Sequence, residues 1–407
     1  MRSVSFPGPA EAGHPQGWPL LRLGFRPFYL LAAVAAVALM PLWALIFLGR
    51  LQPAAGLPPV LWHAHEMLLG FVAAVVVGFL FTAGKNWTGL QTPRGAALGA
   101  IALLWVAGRV TAVLGPYSLF AAVDALLLPL VAVVFARLLL KARNHRNLGI
   151  AVMLGLLGAA NLAFHGGVLA SMDLLGRPAQ AGGLNVAHQA LLCGMALLVV
   201  IETVIAGRVI PMFTRNAVPG LATGIAPWRE RLLLGSTFVG LALWLLDWGL
   251  PAALVLALAA ALHAWRLASW KPWATRGRPI LWSLHAAYLW IPVGLALLAA
   301  AQGLGQPASP GLHALGVGAS AGLILAMMTR SSRGHTGRPL ATTPTEAWAY
   351  RLVLLAAVVR VGTPLLAPQF YLAGLVVAGL CFAASFLLFL WVYAGWLMQP
   401  RVDGQDG

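Results

Sequence analysis

Long apolar stretches follow one another through almost the whole chain, and they limit what it can fold into more than any other feature. A helix needs roughly 20 mainly apolar residues to cross the ~30 Å hydrocarbon layer of a bilayer. With 60% hydrophobic and only 9% charged residues among 407, the chain lacks the polar surface that a soluble protein of this size needs. The sequence therefore predicts an all-α integral membrane protein with a bundle of about twelve transmembrane helices.

The predicted spans form one membrane domain, residues 27–397, between tails at residues 1–26 and 398–407. The longest connections, residues 211–228 and 331–346, are too short to enclose a hydrophobic core of their own. No soluble domain is therefore expected. The spans are placed at residues 27–49, 61–83, 95–114, 117–140, 147–171, 184–210, 229–249, 251–268, 279–302, 310–330, 347–366 and 369–395.

Lysine and arginine residues alternate between the connections, and this alternation predicts the orientation. They gather before the first span and after each even-numbered span, whereas the opposite connections carry only Arg50 and Arg177. Because cytoplasmic loops are enriched in these residues, both termini are predicted to be cytoplasmic. The net charge of +16 is then mostly a consequence of topology beside an anionic lipid leaflet. It does not require a nucleic acid partner.

Five histidines are predicted at one depth, on the outer side of the bilayer. His63 and His65 begin the second span, His165 lies late in the fifth, His188 begins the sixth and His313 begins the tenth. A single histidine near a helix end is more often an interfacial side chain. Neutral imidazole is, however, the commonest protein metal ligand and suits iron and copper. Five at one depth therefore predict a metal or haem site inside the bundle.

The densest group of such residues is the run Trp62–Met67, which reads WHAHEM. Side chains two positions apart on a helix point about 200° apart, so His63 and His65 are not expected to face the same site. Glu66 and Met67 are expected on the His63 side, where Met67 could complete a soft copper site and Glu66 could accept a ring N–H. Alternatively, Glu66 is a first-turn carboxylate that interacts with the helix dipole.

Other ionisable residues are also predicted inside spans, where their cost favours a paired or functional role. Arg109 and Asp124 flank a tight turn, and an ion pair between them is the favoured interpretation. Arg109 or Arg360 could instead hold haem propionates, which need cationic partners when they are buried. Glu202 has no partner nearby in the sequence. It needs a partner elsewhere, a water-filled cavity or a proton, and a proton-relay role stays open.

The ninth span carries Trp282, His285 and Tyr288 at three-residue spacing on one face. Aromatic residues at this spacing more often pack against neighbours than contact a cofactor. His285 is nevertheless a candidate ligand of a second metal group, or a hydrogen-bond donor to a bound ligand. The catalytic residues, if the protein is an enzyme, are unknown, and the candidates are Glu66, Glu202 and Tyr288.

Several distinctive motifs follow one another along the chain, at Gly24–Leu30, Trp62–Phe71, Gly78–Leu80 with Asn86–Gly89, Asn161–His165, Gly207–Asn216, Pro279–Tyr288 and Met328–Arg338. In this order they resemble the NnrS family, and the resemblance runs from about Gly24 to Arg360. This family is described as bacterial inner-membrane proteins with twelve spans that contain haem and copper and protect cells against nitric oxide. The resemblance therefore implies a multi-pass protein of the bacterial inner membrane that takes part in denitrification or the response to nitrosative stress.

The resemblance leaves the reaction and the metal ligands open. From depth and chemistry we expect His63, His65, His165, His188 and His313 to supply haem and copper ligands, with nitric oxide as the small-molecule ligand. Two other function classes remain. One is a membrane oxidoreductase that resembles nitric oxide reductases and takes electrons from quinol or another donor, and the other is a twelve-span secondary transporter.

Overall fold

The computed structural model describes residues 17–172, 182–224 and 226–406. Most of the predicted N-terminal tail, residues 1–16, lies outside these ranges, as does Arg177. Within the described residues there is no strand, and nearly all regular structure is helical. The fold class predicted from the apolar stretches is therefore confirmed.

Twelve long helices can be distinguished in the described ranges, one for each predicted span. Eleven are long and apolar enough to cross a membrane. The exception is α7, because Arg229, Glu230 and Arg231 occupy its first turn. The helices are α1 Phe25–Phe47, α2 Pro59–Thr88, α3 Gly95–Leu114, α4 Tyr117–Lys141, α5 His145–Ser171, α6 Gly183–Ala217, α7 Pro227–Leu245, α8 Leu250–Ser269, α9 Pro279–Leu304, α10 Ser309–His335, α11 Pro344–Leu366 and α12 Pro368–Met398.

The helix boundaries follow from local sequence. Proline occupies the first turn of α2, α7, α9 and α11, where its missing N–H costs nothing. At the start of α11, Thr343 and Glu346 form a reciprocal capping box. Gly89 ends α2 with a left-handed φ of 68°, a conformation that glycine adopts without a steric penalty.

The buried core has two parts. One lies among α1 to α6, α10, α11 and α12, and the other among α6 to α10. Consecutive helices pack closely in the pairs α5–α6, α7–α8 and α11–α12, and α1 lies between α2 and α12. Below, "outer" means the end of the bundle at which α2 begins. The cytoplasmic location of both termini stays a prediction, as does the assignment of residues 27–397 to a single domain.

Two π-helical segments interrupt the long helices that carry candidate ligands. In α2 the segment is Glu66–Val72, directly after His65, and in α10 it is Ala314–Ala321, directly after His313. The two segments contact each other in the bundle. Short π-helical insertions are rare and are found mainly at functional sites. The sequence pattern did not predict them, because the apolar residues continue unbroken through both.

Candidate metal and cofactor sites

The two histidines of WHAHEM face different surroundings. His63 lines a large cavity between helices, whereas His65 is fully buried in a polar cluster. The structure thus separates the two rings in the way that their angular spacing on a helix predicts.

The polar cluster, called the ionic cluster below, joins α2, α3, α4 and α5. Arg109 is its centre: Arg109 Nε lies 3.0 Å from Glu66 Oε2, and Arg109 Nη2 pairs with Asp124 Oδ1. The predicted ion pair between Arg109 and Asp124 is confirmed. Arg109 and Asp124 are only 8% and 4% exposed, so each charge depends on the others. The members of the cluster are His65, Glu66, Arg109, Tyr117, Asp124, Asn161 and His165.

Both imidazole rings of the ionic cluster are held by their Nδ1 atoms. His65 Nδ1 lies 3.0 Å from Glu66 Oε1, and His165 Nδ1 lies 2.9 Å from the Tyr117 hydroxyl. A ring whose Nδ1–H donates to an oxygen has its Nε2 lone pair free for a metal. The two Nε2 atoms lie 3.3 Å and 3.1 Å from the same atom, Asp124 Oδ2. This arrangement has the form of a metal centre with two histidines and one carboxylate.

The distances within this centre suit a single small cation. One ligand atom from each of His65, Asp124 and His165 lies within 4.8 Å of the others. Asn161 completes the surroundings, because its Oδ1 lies 3.1 Å from His65 Nε2 and its Nδ2 donates to Asp124 Oδ2 at 2.8 Å. Asn161 was not a predicted site residue. Its position four residues before His165 was the available signal, since residues at this spacing share a helix face.

Close approach of α2 and α3 depends on a glycine. A Cβ at Gly70 would lie 2.6 Å from Arg109 Nη1, and the Gly70 carbonyl accepts a hydrogen bond of 3.0 Å from Trp105 Nε1. Because glycine has no side chain, the guanidinium of Arg109 can pack directly against α2 at Gly70 and contact Glu66.

The large cavity, called the outer cavity below, has a volume of about 420 Å³. This lies within the range of roughly 300–1,000 Å³ that is typical of ligand pockets. Its walls are mostly apolar and come from α1, α2, α6, α10, α11 and α12. The polar groups among them include three histidines and one arginine, namely His63, His188, His313 and Arg360.

The rings in the outer cavity are poorly supplied with protein partners. His313 Nδ1 lies 2.8 Å from the Ser309 carbonyl and donates to it, which leaves Nε2 as a free lone pair. His63 stacks on Trp43 with ring centroids 4.3 Å apart. Its Nδ1 is buried and has no hydrogen-bond partner among the described residues. Buried polar groups normally have partners, so His63 Nδ1 is a candidate atom for contact with a ligand in this cavity.

The two remaining candidates of the WHAHEM run, Glu66 and Met67, lie in different sites. Met67 lines the outer cavity with His63, on the predicted side. For Glu66 the expected side was wrong, because it contacts His65 and Arg109 in the ionic cluster. Its carboxylate bridges the ring of the adjacent His65 and the guanidinium of Arg109 on α3, and the sequence of α2 alone does not reveal the second of these partners.

The two candidate arginines, Arg109 and Arg360, also lie in different sites. Arg109 is engaged by both carboxylates of the ionic cluster and is not among the residues that line the outer cavity. Arg360 lines that cavity, and its Nη2 lies 3.3 Å from the Tyr371 hydroxyl. Arg360 is therefore the arginine available to an anionic group in the cavity.

The candidates on α9 lie apart from both sites. His285 Nε2 lies 3.0 Å from the Thr214 hydroxyl. The Tyr288 hydroxyl lies 2.6 Å from His263 Nδ1 and accepts from Arg266 at 3.1 Å. These residues form a polar group between α6, α7, α8 and α9, and the structure brings neither His285 nor Tyr288 to the outer histidines.

Glu202 lines a second, smaller cavity with a volume of about 90 Å³, called the inner vestibule below. Apart from Glu202 and Tyr29, its walls are apolar. It lies between α1, α2, α6, α9 and α10, further along α2, α6 and α10 than the outer cavity.

A comparison with protein families gives one match that spans nearly the whole chain. The sequence model of a family described as NnrS protein matches residues 19–401. No curated protein matches the chain.

Proposed function

Since the chain belongs to the NnrS family, we propose that it is a haem–copper protein of the bacterial inner membrane that binds or detoxifies nitric oxide. The observation that carries the proposal is the outer cavity, whose lining includes His63, His188, His313 and Arg360. A second group of metal-ligating atoms lies close by in the ionic cluster.

The outer cavity fits a haem in size, in lining and in the chemistry of its polar groups. One or two of His63, His188 and His313 would hold the iron, and Trp43 already packs face to face on the His63 ring. Arg360 would hold a propionate, since buried carboxylates bind arginine in charge-assisted pairs. Met67 lies close to His63 on α2 and offers a soft thioether ligand.

The ionic cluster fits a copper ion. His65 and His165 would bind it through Nε2, and Asp124 would bind it through Oδ2, because Asp124 Oδ1 is used by Arg109. Glu66 and Tyr117 would hold the two rings in the required orientation through Nδ1. Imidazole ligands suit copper, and copper binds such sites more tightly than the other divalent first-row metals.

Nitric oxide is small and uncharged, so apolar walls do not exclude it. Reduced haem iron or copper would supply the atom that binds it. The protein residues would do three things: hold the metals, fix the rings in one tautomer and keep bulk water out of the outer cavity. The last role falls to the apolar lining, to which Leu68, Phe71 and Phe382 belong.

The proposal is tested on the full-length chain purified in detergent, by its absorption spectrum with and without nitric oxide and by metal analysis. We expect a haem spectrum that shifts when nitric oxide is added, together with bound copper. His63→Ala, His188→Ala and His313→Ala should lower haem content, whereas His65→Ala and His165→Ala should lower copper content. His145→Ala is the matched control, since His145 is exposed at the start of α5. Full metal content in all five variants would overturn the ligand assignment.

Two other functions give different results in the same experiment. A secondary transporter would show no haem band. A quinol-linked oxidoreductase would consume nitric oxide when a quinol is supplied as electron donor, whereas a binding or sensing protein would only show the spectral shift.

A further inference from the structure

The outer cavity and the inner vestibule are stacked along the same helices. On α2 the outer cavity is lined by residues up to Val72, and the vestibule by residues from Val72 onward. On α10 the boundary falls between Ala321 and Leu323. The two spaces therefore lie end to end along these helices, and the interruption between them falls at the level of Val72.

The interruption coincides with the ends of both π-helical segments. The segment of α2 ends at Val72 and that of α10 ends at Ala321. Ser320, on the second segment, lines the outer cavity from this level. The barrier between the two cavities is thus formed in part by backbone that departs from regular α-helix, and the wider turns place a hydroxyl group there.

Glu202 lies on the inner side of the same level and faces the vestibule. The Ser320 side chain approaches the Glu202 carboxyl from across the barrier. Glu202 Oε2 and Ser320 Oγ are both buried, and neither has a hydrogen-bond partner among the described residues. Two buried polar groups this close to each other can pass a proton between them directly or through one bridging water.

The surroundings of Glu202 contain no charge that would fix its protonation state. Tyr29 is the other titratable side chain among the residues that line the vestibule. The walls facing Glu202 from α2, α9 and α10 are apolar apart from the Ser320 hydroxyl. An ionised group inside a membrane needs a partner or water, so this carboxyl can take up and release a proton.

The vestibule also reaches toward the inner end of the bundle through polar side chains. Tyr29 lies near the beginning of α1, and its hydroxyl is within reach of Ser331, four residues before α10 ends at His335. With a volume of about 90 Å³, the vestibule has room for several water molecules, since one needs about 10–15 Å³ on the same measure.

We propose that Tyr29, Glu202 and Ser320 form a proton path from the inner side of the membrane to the outer cavity, with Glu202 as its relay. Protons move from Tyr29 and vestibule water to the Glu202 carboxyl, and then past Ser320 to the cavity. The delivery of protons to a reaction there rests on the function proposed above, whereas the path itself is a property of the polypeptide.

The first measurement is infrared difference spectroscopy of the full-length protein on transfer from H₂O to D₂O. A protonated Glu202 gives a carbonyl-stretch band that shifts in D₂O and is lost in Glu202→Gln. The matched control is Glu230→Gln, which removes a carboxyl that pairs with Arg266 instead of lining a cavity. The band should persist in this control. If no band is lost in Glu202→Gln, or if the band does not exchange, the relay is refuted.

The second measurement gives the side from which water reaches Glu202. The chain has two cysteines, Cys193 and Cys381, so Cys193→Ser with Cys381→Ser gives a background without thiols. In that background, Glu202→Cys should react with a membrane-impermeant thiol reagent at least roughly tenfold faster in inside-out vesicles than in intact cells. Val199→Cys is the control on the same helix, because Val199 is fully buried and lines neither cavity. Equal rates from both sides, or faster labelling from outside, would contradict the proposal.

These measurements separate the path from the proposed function. They need neither metal nor nitric oxide, so sided labelling of Glu202→Cys in a protein without a haem spectrum would keep the path and reject the haem assignment. A protein that binds haem and nitric oxide but fails both measurements would reject the path alone.

Discussion

The ionic cluster and the outer cavity both contain side chains from the same short stretch of α2, yet their polar groups have different surroundings. In the cluster, Arg109, Asp124 and both rings are fully buried or nearly so, and all have polar partners. In the cavity, His63 and His313 lie among apolar walls with ring nitrogens left free. The difference shows that histidines at the same depth of a helix bundle do not necessarily belong to the same site. A saturated polar cluster suits a small ion, and a roomy apolar cavity suits a large cofactor.

The largest effect is a loss of folding stability, and it is expected in the ionic cluster, where each buried charge is stabilised by the others. Asp124→Ala would leave Arg109 beside Glu66 without its second carboxylate and remove the acceptor that both rings share. Breaking a buried ion pair from one side costs about 3–5 kcal/mol, so the variant should unfold at markedly lower denaturant concentration in detergent. Asp247→Ala, whose carboxylate accepts a solvent-exposed hydrogen bond from Gln302 Nε2, is the control. A loss below about 1 kcal/mol would show that the cluster is not the coupled unit described here.

The next effect tests the packing that supports the cluster. Gly70→Ala places a methyl group 2.6 Å from Arg109 Nη1, and the guanidinium cannot withdraw without leaving Glu66 or Asp124. Overpacking of this kind costs roughly 1–3 kcal/mol, measurable as a lower midpoint of thermal unfolding. Gly155→Ala on α5 is the matched control, because nothing lies within 4 Å of the added methyl group. Equal midpoints for the two variants would contradict the tight approach.

A third variant tests whether the two sites bind the separate metals proposed above. Tyr117→Phe removes the hydroxyl that holds His165 Nδ1. Loss of such a support typically costs 10- to 100-fold in metal affinity, so copper affinity measured by competition with a chelator should fall by about that factor. Haem content should stay unchanged, because Tyr117 does not line the outer cavity. A parallel loss of haem would mean that the two sites are one.

The smallest effect is a change in haem affinity, and it is expected when Arg360 is replaced. Arg360→Lys keeps the positive charge in the outer cavity but loses the planar fork that binds a carboxylate through two hydrogen bonds. Haem affinity should fall by roughly tenfold or less, while copper content and unfolding stay as in the parent protein. Haem dissociation followed by its absorption band measures the change. An unchanged dissociation rate in both Arg360→Lys and Arg360→Leu would remove Arg360 from the site.

Much of the fold follows from the sequence because the bilayer dictates it. A span must be long and apolar, and the twelve predicted stretches all became helices. Most bounds lie within about four residues of those expected, and α2, α6 and α10 end five to seven residues later than predicted. The pair Arg109 and Asp124 was predictable too, since a tight turn between two helices brings their facing ends together. In each case a one-dimensional property, length or spacing, was sufficient.

The division of the five outer histidines was not predictable in the same way. Their positions in the spans give depth, but the direction of a side chain around the bundle depends on how helices pack. His165 and His188 share a depth and lie in different sites for that reason. The expected side of Glu66 was wrong on a finer point, since its carboxylate is held by Arg109 of α3, a partner that the apolar pattern of α2 does not show.

The π-helical segment of α2 has a consequence for how such a protein tolerates change. A π-turn holds one residue more than an α-helical turn, so the loss of one residue within Glu66–Val72 would let the helix close into regular α-geometry with its two parts in nearly the same relative orientation. The loss of one residue within the regular turns of Ala73–Thr88 has no such compensation. The part of α2 on the outer side, with both histidine rings, would then rotate by about 100° relative to the part beyond the deletion. The π-helical segment therefore absorbs a single deletion that the regular turns beyond it would convert into a rotation of the rings away from their sites.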